Sequence, residues 1–269
     1  MHKNQPFLSE QIQRKKSFLC VGLDPDLEKI PDEYLNKEEP LLSFCKDVID
    51  CTKHIAIAYK INIAFFEALG PNGWSQLEKL SKEIPEDCLF IADAKRADIG
   101  NTSKKYAEYF YDRLGADALT LHPYMGVDSL LPFLVRKDKW SIVLALTSNP
   151  GASDFELQKS DQGEYFFEMV VKKFNSQELQ EHVMFVVGAT QSSYIEKIRL
   201  LAPNSFLLIP GVGEQGGSLE DTVKAGRNQT EGLIINVGRK IMYPKGKITK
   251  PDDIRASADE FHSQMKVYF

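Results

Sequence analysis

The sequence predicts an α/β protein, a single-domain (β/α)8 TIM barrel spanning residues 1–269, on three observations. Its length suits this fold, since single α/β barrels commonly have about 250 residues. Eight apolar runs of strand length are mostly continuous, which is typical of parallel strands covered on both faces. Segments of helical periodicity lie between those runs, so strand alternates with helix. No linker rich in Gly, Pro or Ser divides the chain, which favours one domain.

The predicted strands recur at nearly regular spacing and are rich in Ile, Val, Leu and Phe, as buried strands are. In chain order they are FLCVGL (18–23), IAIAYKI (55–61), CLFIAD (88–93), ALTLH (118–122), SIVLAL (141–146), VMFVVG (183–188), SFLLIPG (205–211) and GLIINVG (232–238).

Apolar stripes between the strands predict helices that pack against the sheet. The stripes are Trp74, Leu77, Leu80 and Ile84; Tyr106, Tyr109, Phe110 and Leu114; Phe167, Val170, Val171 and Phe174; Ile195, Ile198 and Leu201; and, in a last helix from Asp252, Ile254, Ala258, Phe261 and Met265. Residues 26–40 and 149–162 are polar and contain Pro and Asp, so we expect long surface loops there.

Composition excludes several classes of protein. A net charge of −5 argues against duplex nucleic acid as the main partner, because such binding needs a basic face. No run approaches the ~18 apolar residues of a membrane helix, and the first residues lack a signal-peptide core. We therefore expect a cytoplasmic protein without a membrane partner. The four cysteines have no CxxC spacing and the five histidines are scattered, so no zinc site is expected.

Polar residues concentrate where the predicted strands end. In a barrel of this kind the active site lies at the carboxyl ends of the strands. These positions therefore predict one polar site. They are Asp24 after the first run, Lys60 and Asn62 at the second, Asp93 and Lys95 at the third, His122 at the fourth, Thr147 and Ser148 at the fifth and Arg239 after the eighth.

The segment IADAKRADIGNT is the sharpest of these features. Residues two apart in a strand share a face, so Asp93 and Lys95 point the same way into a mostly buried ring. Asp98 would supply a second carboxylate. A lysine between two carboxylates stays protonated and is a well-held proton donor. The alternative interpretation is a structural ion pair, or an Asp that caps a helix.

Two glycine-rich turns, PGVGEQGG (210–217) and NVGRK (236–240), follow the seventh and eighth runs. Barrels commonly bind phosphate there, and Arg239 can hold it through two parallel hydrogen bonds while Gln215 offers an amide donor. Two ordinary tight turns are the alternative. The first of these turns also contains GxGxxG, at Gly211, Gly213 and Gly216. A dinucleotide-binding fingerprint belongs to the first βαβ unit of its fold, but six predicted strands precede this motif, which argues against NAD binding.

The segment LALTSNPGAS (144–153) ends the fifth run with two hydroxyls and an amide. Such groups suit the edge of a heterocycle that carries carbonyl and N–H groups. A helix cap or a turn is the alternative.

The order GLDPD, AYKINIAFFEALG, DAKRADIGNT, PYMG, LTSNPGA, VVGAT, PGVGEQGG and NVGR resembles the orotidine 5′-phosphate decarboxylase family, in its longer branch with the TSNPGA segment. The resemblance runs from Phe18 to about Tyr243. It implies a barrel homodimer that converts orotidine 5′-phosphate to UMP and carbon dioxide, as the last step of UMP synthesis, without a metal or an organic cofactor.

The resemblance also implies a role for each site residue. Lys95 protonates C6 of the pyrimidine, Asp93 lies near the leaving carboxylate, and Asp98 with Thr102 enters the partner's site. The implied substrate-binding residues are Asp24 and Lys60 at the ribose with Asn62 beside them, Thr147 and Ser148 at the pyrimidine, Gln215, Gly238 and Arg239 at the phosphate, and Pro210 where the closing loop begins.

Two alternatives remain open from the sequence. A metal-dependent sugar-phosphate decarboxylase or aldolase of the same barrel superfamily also carries a DxK pair, with an added carboxylate for a divalent cation. A non-catalytic barrel that binds a phosphorylated ligand is the other. Binding alone does not need a lysine between carboxylates, so Asp93, Lys95 and Asp98 argue against it.

Overall fold

Eight parallel strands close into a barrel in chain order, which confirms the predicted fold. A computed structural model of the chain describes residues 2–176, 179–189, 192–213 and 217–269. The barrel closes where β1 pairs with β8, with Cys20 opposite Asn236. The strands are β1 (Leu19–Leu23), β2 (Ala58–Asn62), β3 (Leu89–Arg96), β4 (Ala118–Leu121), β5 (Trp140–Leu146), β6 (Val183–Val187), β7 (Leu207–Pro210) and β8 (Leu233–Val237).

Helices surround the barrel and bury the apolar stripes predicted for them. Phe167 and Ile195, for example, are fully buried. The helices are α1 (Gln5–Lys15), α2 (Asp32–Leu35), α3 (Pro40–Thr52), α4 (Ala64–Glu67), α5 (Gly70–Leu80), α6 (Gly100–Ala107), α7 (Val127–Leu134), α8 (Phe166–Phe174), α9 (Ser192–Leu201), α10 (Leu219–Gly226), α11 (Arg239–Met242) and α12 (Pro251–Lys266). None of the helices in the described ranges is both long and apolar enough to cross a membrane.

Local sequence signals set several helix ends. Asn4 precedes α1, and its side-chain oxygen accepts a hydrogen bond from the backbone N–H of Phe7 at 3.1 Å. Ser218 caps α10 in the same way, by accepting from the N–H of Asp221 at 3.2 Å. These caps satisfy N–H groups that have no partner inside the helix.

The structure departs from the predicted elements in four places. Ile84 does not belong to the helical stripe, because α5 ends at Leu80 and the chain is extended at Ile84. Tyr109 and Phe110 lie in a π-helical turn, Glu108–Arg113, that continues α6. The predicted loop 26–40 contains α2, and the predicted loop 149–162 contains a 3-10 turn, Pro150–Asp154.

The amino ends of the strands form a floor to which both ends of the chain are attached. Lys3 Nζ donates hydrogen bonds to the carbonyl of Cys88 at 2.6 Å and to the carboxylate of Asp117 at 2.7 Å, just before β3 and β4. At the other end of the chain, the ring of Phe269 lies 4.8 Å from that of Phe18, just before β1. The carboxyl ends of the strands remain open.

Candidate active site

A cavity of about 280 Å³ opens at the carboxyl ends of the strands. Most of the residues predicted for the site line it, and they come from the ends of β1, β2, β3, β5, β7 and β8. The predicted residues that line the cavity are Asp24, Lys60, Asp93, Lys95, Thr147, Ser148, Pro210, Gly238 and Arg239.

Asp93 is the centre of the charged groups in this cavity. Its Oδ2 lies 2.7 Å from Lys60 Nζ, and its Oδ1 lies 2.6 Å from Lys95 Nζ. The hydroxyl of Thr120 also donates to Oδ1, at 2.9 Å. Both carboxylate oxygens are therefore engaged by donors, as burial of a charge requires.

Burial and charge oppose each other at this cluster. Burial raises the pKa of Asp93, but the ammonium groups of Lys60 and Lys95 outweigh it and hold that pKa well below its usual range. Burial likewise lowers the pKa of Lys60, but the carboxylates of Asp93 and Asp24 raise it above its ordinary value. Asp93 and Lys60 therefore stay ionised at neutral pH.

Lys95 holds its position through an unusual backbone conformation. Its φ is +46°, in the left-handed region that few residues other than glycine adopt. The pairing of β3 with β4 shifts register between Ala92 and Arg96, so regular pairing is interrupted there. The N–H of Lys95 instead donates to the hydroxyl of Thr120 at 3.0 Å. The side chain of Lys95 is 52% exposed, in contrast to the buried position that the sequence predicts.

Asp98 and Thr102 do not line the cavity of their own chain. Asp98 follows β3, where its carboxylate accepts from the N–H of Ile99 at 2.7 Å. Thr102 is exposed in the first turn of α6. Within the described residues Lys95 pairs with Asp93 and not with Asp98, so the prediction of a lysine between two carboxylates is wrong for a single chain. Here one carboxylate lies between two lysines.

Asp24 lies beside the cluster with unused hydrogen-bonding capacity. Its Oδ1 is 3.9 Å from Lys60 Nζ and, among the described residues, accepts no hydrogen bond. Its backbone carbonyl accepts from the hydroxyl of Tyr243 at 3.1 Å. A Cβ atom at Gly238 would come within 3.0 Å of Asp24 Oδ2, so glycine leaves the space that this carboxylate occupies. The site can therefore offer an acceptor to a ligand hydroxyl.

The turns after β7 and β8 form another wall of the cavity. Pro210 and Gly211 line it, and Gly211 has a φ of +94°, which favours glycine. Gly238 precedes α11, and the exposed side chain of Arg239 reaches the cavity rim. Gln215 lies outside the described residues. These groups place a cation and backbone N–H groups on one side, as an anion site requires.

The end of β5 supplies Thr147, Ser148 and Asn149 to the cavity. Ser148 packs tightly against Gly188, just after β6, since a Cβ atom added at Gly188 would lie 2.9 Å from the Cβ of Ser148. Asn62, predicted beside the ribose, does not line the cavity, and its side-chain oxygen accepts from the N–H of Ala64 at 3.3 Å.

The prediction from sequence missed two polar residues that line the cavity, Thr120 and Asn236, whereas it included the Asn149 amide in the segment after the fifth run. Thr120 and Asn236 lie inside apolar runs, ALTLH and GLIINVG. A polar residue in an otherwise apolar barrel strand needs a polar partner, and this signal could have identified both. Apolar side chains of Leu144, Val186 and Leu208 complete the lining.

Comparison with known proteins agrees with the resemblance seen in the sequence. The family profile "Orotidine 5′-phosphate decarboxylase / HUMPS family" matches residues 17–250. An orotidine 5′-phosphate decarboxylase from Bacteroides fragilis (strain YCH46) is 49% identical over 265 residues, 97% of each chain. One from Phocaeicola vulgatus is 52% identical over 246 residues, 90% of each chain.

Solved structures agree with the fold as well. The chain matches Leishmania donovani OMP decarboxylase with a TM-score of 0.83 and 33% identity, over 97% of both chains. It matches Leishmania donovani UMP synthase with a TM-score of 0.86 and 35% identity, over 97% of this chain and 55% of that one. By profile, identity and coverage, the chain belongs to the orotidine 5′-phosphate decarboxylase / HUMPS family.

Proposed function

We propose that this chain, acting as one domain over residues 1–269, is a carboxy-lyase that converts orotidine 5′-phosphate to UMP and carbon dioxide. This reaction is the last step of UMP synthesis. The observation that carries the proposal is the Lys60–Asp93–Lys95 array in a cavity at the carboxyl ends of the strands. The chain also shares about half its residues with relatives that carry this name.

Lys95 is the proton donor in the proposed mechanism. When the bond between C6 and the carboxylate breaks, carbon dioxide leaves and the electron pair stays on C6. No conjugated π-system delocalises this pair, so a cation beside C6 stabilises it electrostatically. Lys95 Nζ, held 2.6 Å from Asp93, supplies that charge and then transfers a proton to C6, which gives UMP.

Asp93 contributes in two ways. It orients the Lys95 ammonium, and its negative charge lies beside the substrate carboxylate, which raises the energy of the bound substrate relative to the transition state. Contacts far from C6 offset this cost by binding the ribose and the phosphate. Lys60 donates one hydrogen bond to Asp93 and keeps two N–H groups for ribose hydroxyls, with Asp24 as an acceptor beside it.

The remaining contacts are those that the family resemblance implies, and Arg239, Gly238, Pro210, Ser148 and Thr147 among them line the cavity. Arg239, Gly238 and Gln215 bind the phosphate, under a loop that begins at Pro210. Ser148 and Thr147 form the pyrimidine side of the site after β5, and Asn62 lies near the ribose end. The substrate is thus bound at its phosphate, its sugar and its base.

A homodimer completes the proposed site. Asp98 and Thr102 lie outside the cavity of their own chain, so the partner's Asp98 and the partner's Thr102 would enter this one. The side chain of Ile99, next to Asp98 in the chain, is 64% exposed, and a second copy of the chain would cover it. We place the enzyme in the cytoplasm, without nucleic-acid or membrane partners, on its acidic charge and its biosynthetic role.

The metal-dependent alternative gains no support from the site. Both oxygens of Asp93 already accept hydrogen bonds from ammonium or hydroxyl groups. A divalent cation bound by Asp93 and Asp24 would have to occupy the place between them where the Lys60 ammonium lies. A lysine ammonium and a divalent cation compete for the same ligands.

The test is turnover of orotidine 5′-phosphate by the purified protein, followed by loss of the orotate absorbance with and without EDTA. We expect conversion to UMP at the same rate in both arms, and none with a Lys95→Ala control. A folded sample that leaves the substrate unchanged would overturn the proposal. Conversion that EDTA abolishes and added Mg²⁺ restores would favour the metal-dependent alternative.

A further inference from the structure

In the segment between β5 and α8, the side chain of Glu156 turns back to Thr147 at the active site. Its Oε2 accepts a hydrogen bond from the backbone N–H of Thr147 at 2.7 Å. The hydroxyl of Thr147 lies 3.0 and 2.9 Å from Oε1 and Oε2 of the same carboxylate. The sequence predicts only a surface loop for this segment.

The backbone around Glu156 is itself fixed on both sides. The carbonyl of Glu156 accepts from the N–H of Phe167 at 3.1 Å, in the first turn of α8. The next residue, Leu157, donates its N–H to the carbonyl of Ala152 at 3.0 Å and packs against the hydrophobic core. These backbone hydrogen bonds and the packing of Leu157 therefore fix the position of the Glu156 carboxylate within a mostly exposed segment.

These contacts determine which hydrogen-bonding groups just after β5 remain available to a ligand. The Thr147 hydroxyl has one hydrogen to donate. It lies 2.6 Å from Asn149 Oδ1 as well as beside the Glu156 carboxylate, which is the stronger acceptor because it is charged. The backbone N–H of Thr147 is occupied as well. Ser148 and Asn149, the next two residues, line the same cavity. Thr147 thus acts as an anchor for the end of the strand, and Ser148 is the hydroxyl residue free to face a base.

We propose that Glu156 is a positioning residue for pyrimidine recognition. By accepting from the backbone N–H and the hydroxyl of Thr147, Glu156 fixes the chain after β5 so that Ser148 is presented to the edge of the base. This inference rests on the proposed function, in which the end of β5 contacts the pyrimidine. It assigns to the β5–α8 segment a role in substrate specificity.

The test compares ligands with and without a base. Dissociation constants for UMP and for ribose 5-phosphate are measured by calorimetry on the wild-type dimer and on Glu156→Ala, with KM and kcat for orotidine 5′-phosphate. Losing charge-assisted hydrogen bonds should weaken UMP binding by about tenfold and raise KM similarly. Binding of ribose 5-phosphate should not change, because its contacts lie on the other walls. A role in stability alone would alter both ligands together.

Three further variants make the test specific. Glu156→Gln keeps one acceptor oxygen and should recover part of the UMP affinity, and it carries the test if Glu156→Ala does not fold. Thr147→Val keeps the backbone N–H bond and should weaken UMP binding less than Glu156→Ala does. Asp161→Ala removes an exposed carboxylate from the same segment and should bind both ligands like the wild type.

Equal weakening of both ligands, or wild-type UMP affinity in Glu156→Ala, would overturn the inference. Failure of the proposed function has a different signature, since the wild-type protein would then neither bind UMP nor turn over orotidine 5′-phosphate.

Discussion

Lys60 Nζ lies 2.7 Å from Asp93 Oδ2, and the two side chains are only 8% and 9% exposed. A buried pair of this kind is costly to separate, because each charge would be left in a medium that solvates it poorly. Strands β2 and β3 lie side by side, and their register puts Asn62 opposite Asp93. The pairing of the strands therefore brings the two charges together before any ligand binds.

The low pKa of Asp93 predicts a specific loss of stability in acid. Burial raises this pKa, but Lys60 and Lys95 hold it well below that of an unfolded carboxyl, about 4. The ionised group therefore stabilises the fold above about pH 4, and this contribution falls as the pH drops towards the lower folded value. Urea unfolding of the wild type and Asp93→Asn should show a stability difference that is constant near neutral pH and shrinks in acid. A difference independent of pH would contradict it.

Thr120→Val should slow the chemical step without weakening binding. Valine keeps the shape of the side chain but removes the donor to Asp93 and the acceptor for the N–H of Lys95. The partly buried N–H of Lys95 then lacks this partner, which costs about 1–3 kcal/mol and corresponds to roughly ten- to a hundredfold in kcat if the cost falls on the transition state. Steady-state kinetics and UMP affinity measure the two effects, and Thr120→Ser should restore the rate. Equal losses in kcat and in affinity would indicate general damage.

Lys95→Ala should abolish turnover while the fold and UMP binding persist. The ammonium is the proposed proton donor, and no other cation contacts Asp93 Oδ1 among the described residues. Single-turnover assays measure the rate, and circular dichroism with UMP titration provides the control. Turnover near the wild-type rate would exclude Lys95 as the donor.

Arg239→Ala should mainly weaken substrate binding. The side chain lies at the cavity rim, beyond the charged cluster around Asp93. Losing a charge-assisted contact with phosphate should raise KM by about ten- to a hundredfold and leave kcat less affected. Kinetics with orotidine 5′-phosphate test this, and the phosphate-free nucleoside orotidine should bind both proteins equally. An unchanged KM would refute the phosphate assignment.

Mixing two inactive variants tests whether Asp98 acts across a dimer. Lys95→Ala and Asp98→Ala subunits should each be inactive alone, and a mixed dimer should contain one site with both residues intact. Partial recovery of activity after subunit exchange is expected. If exchange is verified by mass spectrometry and no activity returns, Asp98 acts within its own chain.

The architecture followed from the sequence because continuous apolar runs and their regular spacing are local signals. The proximity of Asp93 and Lys95 also followed, since residues two positions apart in a strand point to the same face. The contact between Lys60 and Asp93 did not, because it joins residues 33 positions apart and depends on the register between β2 and β3. Neither did the left-handed backbone of Lys95, because nothing in the residue type distinguishes that conformation.

The loop prediction for residues 149–162 was incomplete for a related reason. Polar composition in residues 149–162 correctly indicates exposure of most side chains, but it cannot show that Glu156 turns back towards the end of β5. A long-range hydrogen bond of this kind leaves no periodic pattern. Thr120 and Asn236, by contrast, left a readable signal as polar residues within apolar strands.

The attachment of both chain ends to the floor of the barrel has a practical consequence. Lys3 is tied to Cys88 and Asp117 before β3 and β4, and Phe269 packs on Phe18 before β1. An affinity tag, a surface tether or a second folded module joined at either end would therefore project from the side opposite the substrate entrance. The protein can be immobilised or fused through either terminus while the mouth of the barrel stays clear.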